Sequence, residues 1–150
     1  MRLLSIALFM TSFSALAACP DLSGTYPVCK SVDGVLDDES GMVISQRIEN
    51  NVTIYSSVSM AGVPSDDMIM DGSERTIHTS QDDGSHGIEV TSSKCEGNAV
   101  VSKSVMTTGN DVVTTVGTIS KEGNGLRIDI ASSSASGKVE NNFNVSVICQ

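Results

Sequence analysis

Four cysteines are the residues with the clearest chemistry in this 150-residue chain: Cys19, Cys29, Cys95 and Cys149. In an oxidising compartment such thiols pair as disulfides, and four cysteines allow three connectivities. We expect Cys19–Cys29, because these two residues flank the first predicted strand. We expect Cys95–Cys149, because a bond from a predicted turn to the penultimate residue would hold the last strand. Each bond would stabilise the fold by about 2–4 kcal/mol.

Metal binding has little support in the sequence. The cysteines lack the C-x-x-C spacing of zinc sites. Carboxylate oxygens are calcium ligands, but the acidic clusters do not follow the EF-hand pattern. We therefore predict no metal and no cofactor, and the acidic residues are expected to be solvated loop charges. The clusters are Asp33, Asp37, Asp38 and Glu39, and then Asp66, Asp67 and Asp71.

No known catalytic motif accompanies the two histidines, His78 and His86. Either imidazole could serve as a base. However, the chain lacks a G-x-S-x-G elbow, an H-E-x-x-H helix and a phosphate-binding loop. We therefore predict a protein that is not an enzyme, with both histidines at the surface near a hairpin.

The elements that must position these residues are β-strands. Apolar and polar residues alternate with a period of two, most cleanly in 126–130, and turn residues separate the runs. The spacing predicts hairpins rather than helices. Closing such a meander hides its edges, so we expect a single up-and-down antiparallel β-barrel, with a β-sandwich as the alternative. About ten strands are predicted: 24–30, 41–49, 52–60, 67–71, 74–80, 86–93, 98–107, 111–120, 125–133 and 139–149.

The N-terminus has the layout of a bacterial secretory signal peptide. Arg2 precedes an apolar run, and small residues follow at 14–18. We therefore predict a signal peptide at 1–18 and one domain at 19–150, exported to the periplasm or the extracellular space. Alternatively, Leu16-Ala17-Ala18-Cys19 resembles a lipobox, which implies lipidation of Cys19 and anchoring to the outer membrane.

The charge balance excludes one class of partner. Without Arg2 the chain has eight Lys and Arg against eighteen Asp and Glu, so its net charge changes from −9 to −10. Such a chain repels phosphate backbones, and we predict no nucleic-acid binding. A cationic protein is a more suitable partner. The only membrane association that we expect is through a lipid at Cys19.

Two short motifs resemble small bacterial lipocalin-like barrels of the cell envelope. Asp21-Leu22-Ser23-Gly24-Thr25-Tyr26 opens the first predicted strand, and Met70-Asp71-Gly72-Ser73-Glu74 joins two later strands. In this resemblance Tyr26 takes the place of the tryptophan in the family's Gly-x-Trp motif. The resemblance implies a barrel over 19–150 whose interior can bind a small apolar or amphipathic ligand.

Because aromatic residues are scarce, methionines are the candidates for lining such an interior. We expect either an ordinary closed core or a modest cavity. The alternative to ligand binding is an acidic interaction, structural or inhibitor module of the periplasm or outer membrane. The candidate lining residues are Met60, Met68, Met70, Met106 and Tyr55.

Overall fold

The computed structural model describes residues 18–32, 41–80, 86–135 and 142–150. These residues form an all-β fold. The predicted signal peptide, apart from Ala18, and the acidic cluster at 33–39 lie outside the described residues. Within the described ranges, no helix is long and apolar enough to cross a membrane.

The described residues form eleven strands, whereas ten were predicted. Most bounds differ from the predicted ones by only a few residues, because the turn residues were identified correctly. The strands are β1 (Gly24–Tyr26), β2 (Cys29–Ser31), β3 (Met42–Glu49), β4 (Val52–Ser59), β5 (Met68–Ile69), β6 (Arg75–Ser80), β7 (His86–Glu96), β8 (Ala99–Thr108), β9 (Asp111–Glu122), β10 (Gly125–Ser134) and β11 (Phe143–Cys149).

The strands form two antiparallel sheets, not the single closed barrel that was predicted. The small sheet has the order β1-β3-β4-β5, and the long sheet has the order β2-β11-β10-β9-β8-β7-β6. The predicted first strand, 24–30, is in fact two strands in different sheets. β1 pairs with β3, whereas β2 pairs with β11. Pro27 lies between them, and its missing N–H suits a break in a strand ladder.

Two-residue loops set the register of the long hairpins. Thr108 pairs with Asp111 across Gly109-Asn110, and Glu122 pairs with Gly125 across the next such loop. The glycine in each loop has a φ near +60°. Glycine adopts this conformation without steric cost, and hairpin turns of this length require it. These loops keep β7 to β10 in continuous pairing along their whole length.

A small core lies between the two sheets. The small sheet contributes Tyr26, Ile44 and Tyr55, and the long sheet contributes Val100 and Leu126 among others. Leu22, which precedes β1, is fully buried with them. The alternating side chains of both sheets therefore supply one shared apolar layer, as expected when each sheet is apolar on one face.

The disulfide pairing predicted from the sequence is wrong. The bonds join Cys19 to Cys95 and Cys29 to Cys149. Because β2 belongs to the long sheet, Cys29 lies directly opposite Cys149 on β11. β7 continues to Glu96, so Cys95 is part of a strand rather than a turn. The expected pairing assumed that residues 24–30 form a single strand within one sheet.

Two tyrosine hydroxyls fix the N-terminal segment against the core. Tyr26 donates to the carbonyl oxygen of Leu22 at 2.9 Å and accepts from Lys121 of the long sheet at 3.2 Å. Tyr55 is fully buried, and its hydroxyl donates to the carbonyl oxygen of Pro20. The segment before β1 is thus held by polar contacts as well as by Cys19.

We expect Tyr55→Phe to lower the free energy of unfolding by about 1–3 kcal/mol at neutral pH, because the Pro20 carbonyl would lose its donor. The variant should also be less sensitive to alkali. Burial, with a smaller effect from the Asp21 carboxylate, raises the pKa of Tyr55 to about 12. In the unfolded chain the pKa of a tyrosine is about 10.

The unfolded chain therefore releases the Tyr55 proton first, and stability present below about pH 10 is lost as the pH rises toward about 12. Urea denaturation between about pH 8 and about pH 11.5 should show a steeper decline for the wild-type protein than for Tyr55→Phe. Identical slopes for the two proteins would contradict this role of Tyr55.

Candidate functional site

A concavity lies where the two sheets meet at the Cys19–Cys95 disulfide. Its volume is about 590 Å³. We refer to it as the disulfide cleft. Both sheets and the segment between β5 and β6 contribute to its walls. The lining residues are Cys19, Gln46, Ile48, Asn51, Thr53, Met70, Asp71, Gly72, Lys94 and Cys95, together with Ala18, the last residue of the predicted signal peptide.

Strand alternation places the small-sheet side chains in this cleft. Gln46 pairs with Tyr55, and Ile48 pairs with Thr53. Directly opposed residues of an antiparallel pair share a face, so all four lie on the face that contains the buried Tyr55. Both sheets therefore direct one face toward the same space, and the cleft is the part of that space that the core does not fill.

Two backbone hydrogen bonds close the side of the cleft formed by β5 and β7. The Met70 N–H donates to the carbonyl oxygen of Thr53, and the Gly72 N–H donates to that of Ser93, each at 2.9 Å. The second bond joins the chain after β5 to β7, just before Cys95. A positive φ at Gly72 allows the turn that places this N–H.

An unpartnered acceptor is the main polar feature of the cleft. The side-chain oxygen Oε1 of Gln46 is buried and has no hydrogen-bond partner. A buried carbonyl without a donor carries a desolvation cost of about 1–3 kcal/mol. The same cleft is lined by Met70, which is half-buried, and by Ile48, which is 69% exposed. The arrangement suits a molecule that has an N–H or O–H donor next to an apolar portion.

The charges at the cleft are compensated locally. Asp71 binds Arg75 at 2.8 Å, and Lys94 binds Glu96 at 2.6 Å. The hydrogen bond from Arg75, followed by that from the Ser73 backbone, lowers the pKa of Asp71. Asp71 therefore remains an anion paired with a cation at neutral pH. This pairing favours a neutral ligand over an ionic one.

The predicted lining residues are dispersed in the structure. Tyr55 is part of the core, and Met68 and Met70 pack against it. Met70 alone among the five lines the disulfide cleft. Met60 is 54% exposed in the turn after β4. Met106 lies on β8, opposite Glu89 and Val113.

Of the acidic and histidine candidates that the structure describes, Asp71 lines the disulfide cleft, and the others lie outside it. Asp67 accepts hydrogen bonds from Arg47 and Ser56, at 2.6 and 2.5 Å. Among the described residues, no three His, Cys, Asp or Glu side chains are grouped to hold a metal ion. His78 and His86 line a separate cleft of about 430 Å³ at the other end of the long sheet. The cluster at Asp33–Glu39 lies outside the described residues.

Sequence reasoning missed Gln46, Ile48 and Thr53. The alternation in 41–49 and 52–60 shows that Gln46 shares a face with Ile44 and Ile48. A glutamine on an otherwise apolar face is the signal that could have identified the cleft. Its importance depends on the lack of a hydrogen-bond partner for Oε1 among the described residues, which only the packing shows.

No protein-family model, curated protein or solved structure matches this chain.

We expect Gln46→Met to raise the free energy of unfolding of the ligand-free protein by roughly 1 kcal/mol, because it removes the unpartnered acceptor and keeps the side-chain length. Urea denaturation checks this. Gln46→Glu is the matched control, and it should be destabilising because it introduces a partly buried charge while Lys94, the cation that lines the same cleft, is already paired with Glu96. A Gln46→Met protein that is less stable than the wild type would contradict the unpartnered state of Oε1.

Proposed function

We propose that the chain is an exported, non-enzymatic cell-envelope protein that binds a small, neutral amphipathic ligand in the disulfide cleft. The observation that carries this proposal is the unpartnered Oε1 of Gln46, a residue that lines one cleft together with Ile48 and Met70. Small-molecule sites are concave, largely apolar and provided with a few polar groups, within about 300–1,000 Å³. The disulfide cleft, at about 590 Å³, lies inside that range.

The walls of the cleft indicate the class of ligand. A rotation of the Gln46 side-chain amide would present Oε1 to the cleft, where a donor group such as an amide or a hydroxyl would bind it and remove its desolvation cost. A short apolar group would cover Ile48 and Met70, and about 25 cal/mol would be gained for each Å² of apolar surface buried. Since Asp71 and Lys94 are already paired, a charged ligand would have to compete with Arg75 or Glu96.

For the architecture we propose a lipocalin-like up-and-down arrangement opened at two seams, rather than a β-sandwich. Within each sheet, neighbouring strands follow chain order except where β1 and β2 separate. Pro27 lies at that seam, and the Gly72–Ser93 hydrogen bond bridges the other. In this arrangement the disulfide cleft corresponds to one end of the barrel interior.

For location we propose export of residues 19–150 as a soluble domain in the periplasm or the extracellular space. The Cys19 sulfur is bonded to Cys95. A lipid thioether needs that same sulfur, so lipidation and this disulfide exclude each other. A pair of structural disulfides is typical of oxidising compartments.

The second candidate function is an acidic module that binds a cationic protein. Strand β6 is the edge of the long sheet. Ile77 on β6 and Ile88 on the adjacent β7 are 42% and 45% exposed. An open edge can pair with a strand of another protein. The net charge, −10 once Arg2 is removed with the signal peptide, would attract a cationic partner to the protein.

A neutral amide with a short chain, octanamide, tests the ligand proposal. Its titration into the disulfide-bonded protein should shift the ¹³C-methyl NMR signal of Met70. We expect Gln46→Met to weaken binding about tenfold, equivalent to about 1.4 kcal/mol, because the hydrogen bond to Oε1 is lost.

Met60→Leu is the matched control. Met60 is exposed and does not line the cleft, so this variant should bind as the wild type does. An unshifted Met70 signal, or equal affinity in Gln46→Met and the wild type, would contradict ligand binding in this cleft. The acidic module would then be the better-supported function.

A further inference from the structure

The strand register brings the two histidines of the chain together, although eight positions separate them in sequence. His78 on β6 pairs with Ile88 on β7, and Ser80 pairs with His86. His78 and His86 are therefore diagonal neighbours on one face of the same antiparallel pair. Diagonal neighbours of this kind have Cα atoms about 7–8 Å apart, within reach of long side chains.

Both imidazoles also line one cleft, with Ile88, Thr107 and Gly109. His78 and His86 are exposed. β7 runs from His86 at this cleft to Cys95 at the disulfide cleft, nine residues or about 30 Å away. The histidine cleft is thus separate from the proposed ligand site and has its own chemistry.

Two neighbouring imidazoles form a chelating pair for a particular class of ion. Neutral imidazole suits Zn²⁺, Ni²⁺ and Cu²⁺, whereas Mg²⁺ and Ca²⁺ prefer oxygen ligands. None of the described residues that line this cleft is Asp or Glu. A histidine can coordinate through one ring nitrogen while the other makes a hydrogen bond. A chain with a net charge of −9 also attracts cations.

We propose that His78 and His86 form a two-imidazole site for a divalent late first-row transition-metal ion, for which Zn²⁺ is the probe. Two protein ligands leave further coordination positions of the ion to water. The site does not depend on the proposed function, since it uses neither Gln46 nor the disulfide cleft.

Isothermal titration of the full disulfide-bonded protein with Zn²⁺ tests this site. Wild-type protein should bind one Zn²⁺ that neither His78→Gln nor His86→Gln binds with comparable affinity. Each substitution should weaken binding at least about tenfold, or about 1.4 kcal/mol. The ¹H NMR signals of both imidazoles should shift or broaden together at the same Zn²⁺ concentration.

Thr107→Ala is the matched control. Thr107 lines the cleft but is not expected to coordinate the ion, so Zn²⁺ affinity should be unchanged. Mg²⁺ at the same concentration should leave both imidazole signals in place. The proposal would be overturned by Zn²⁺ binding that persists in the double variant His78→Gln/His86→Gln. It would equally be overturned if only one imidazole responded.

Discussion

Two disulfide bonds between distant parts of the chain are the constraint on which the rest of the structure depends. Aromatic residues make up only 3% of the sequence, so few large side chains are available to fill a core. Cys29–Cys149 joins β2 to the adjacent β11, which are the first and the last strands of the long sheet in chain order. This bond is buried in the core. Cys19–Cys95 fastens the N-terminal segment to β7. Domains with limited cores commonly depend on such bonds.

The same constraint creates the candidate ligand site. The core side chains fill the space around Tyr55, Val100 and Leu126. At the disulfide cleft, the Cys19–Cys95 bond and the hydrogen bond from Gly72 to Ser93 connect the long sheet to the rest of the fold. Gln46 lines the space left there, and its Oε1 is a polar atom that folding buries without a partner. Local destabilisation of this kind is typical of binding sites, because a ligand can relieve it.

Local sequence determined the strands but not their assembly. The period-two alternation and the Gly-Asn loops predicted β7 to β10 closely, because both depend on neighbouring residues. The separation of β1 from β2 depends on competition between β3 and β11 as partners, which is a long-range effect. The disulfide prediction was wrong for that reason.

His78 and His86 were recognised as surface histidines, but their proximity requires the register of β6 against β7. Of the predicted lining residues, only Met70 reaches the cleft, since the positions of methionines depend on which face each strand turns inward.

Disulfide mapping of the unreduced protein tests the central claim most directly. Cleavage before aspartate separates all four cysteines, because Asp21 lies between Cys19 and Cys29 and other aspartates divide the remainder. Mass spectrometry should identify one linked pair of peptides containing Cys19 and Cys95, and another containing Cys29 and Cys149. Linked peptides containing Cys19 with Cys29, or Cys95 with Cys149, would contradict the division of the chain into these two sheets.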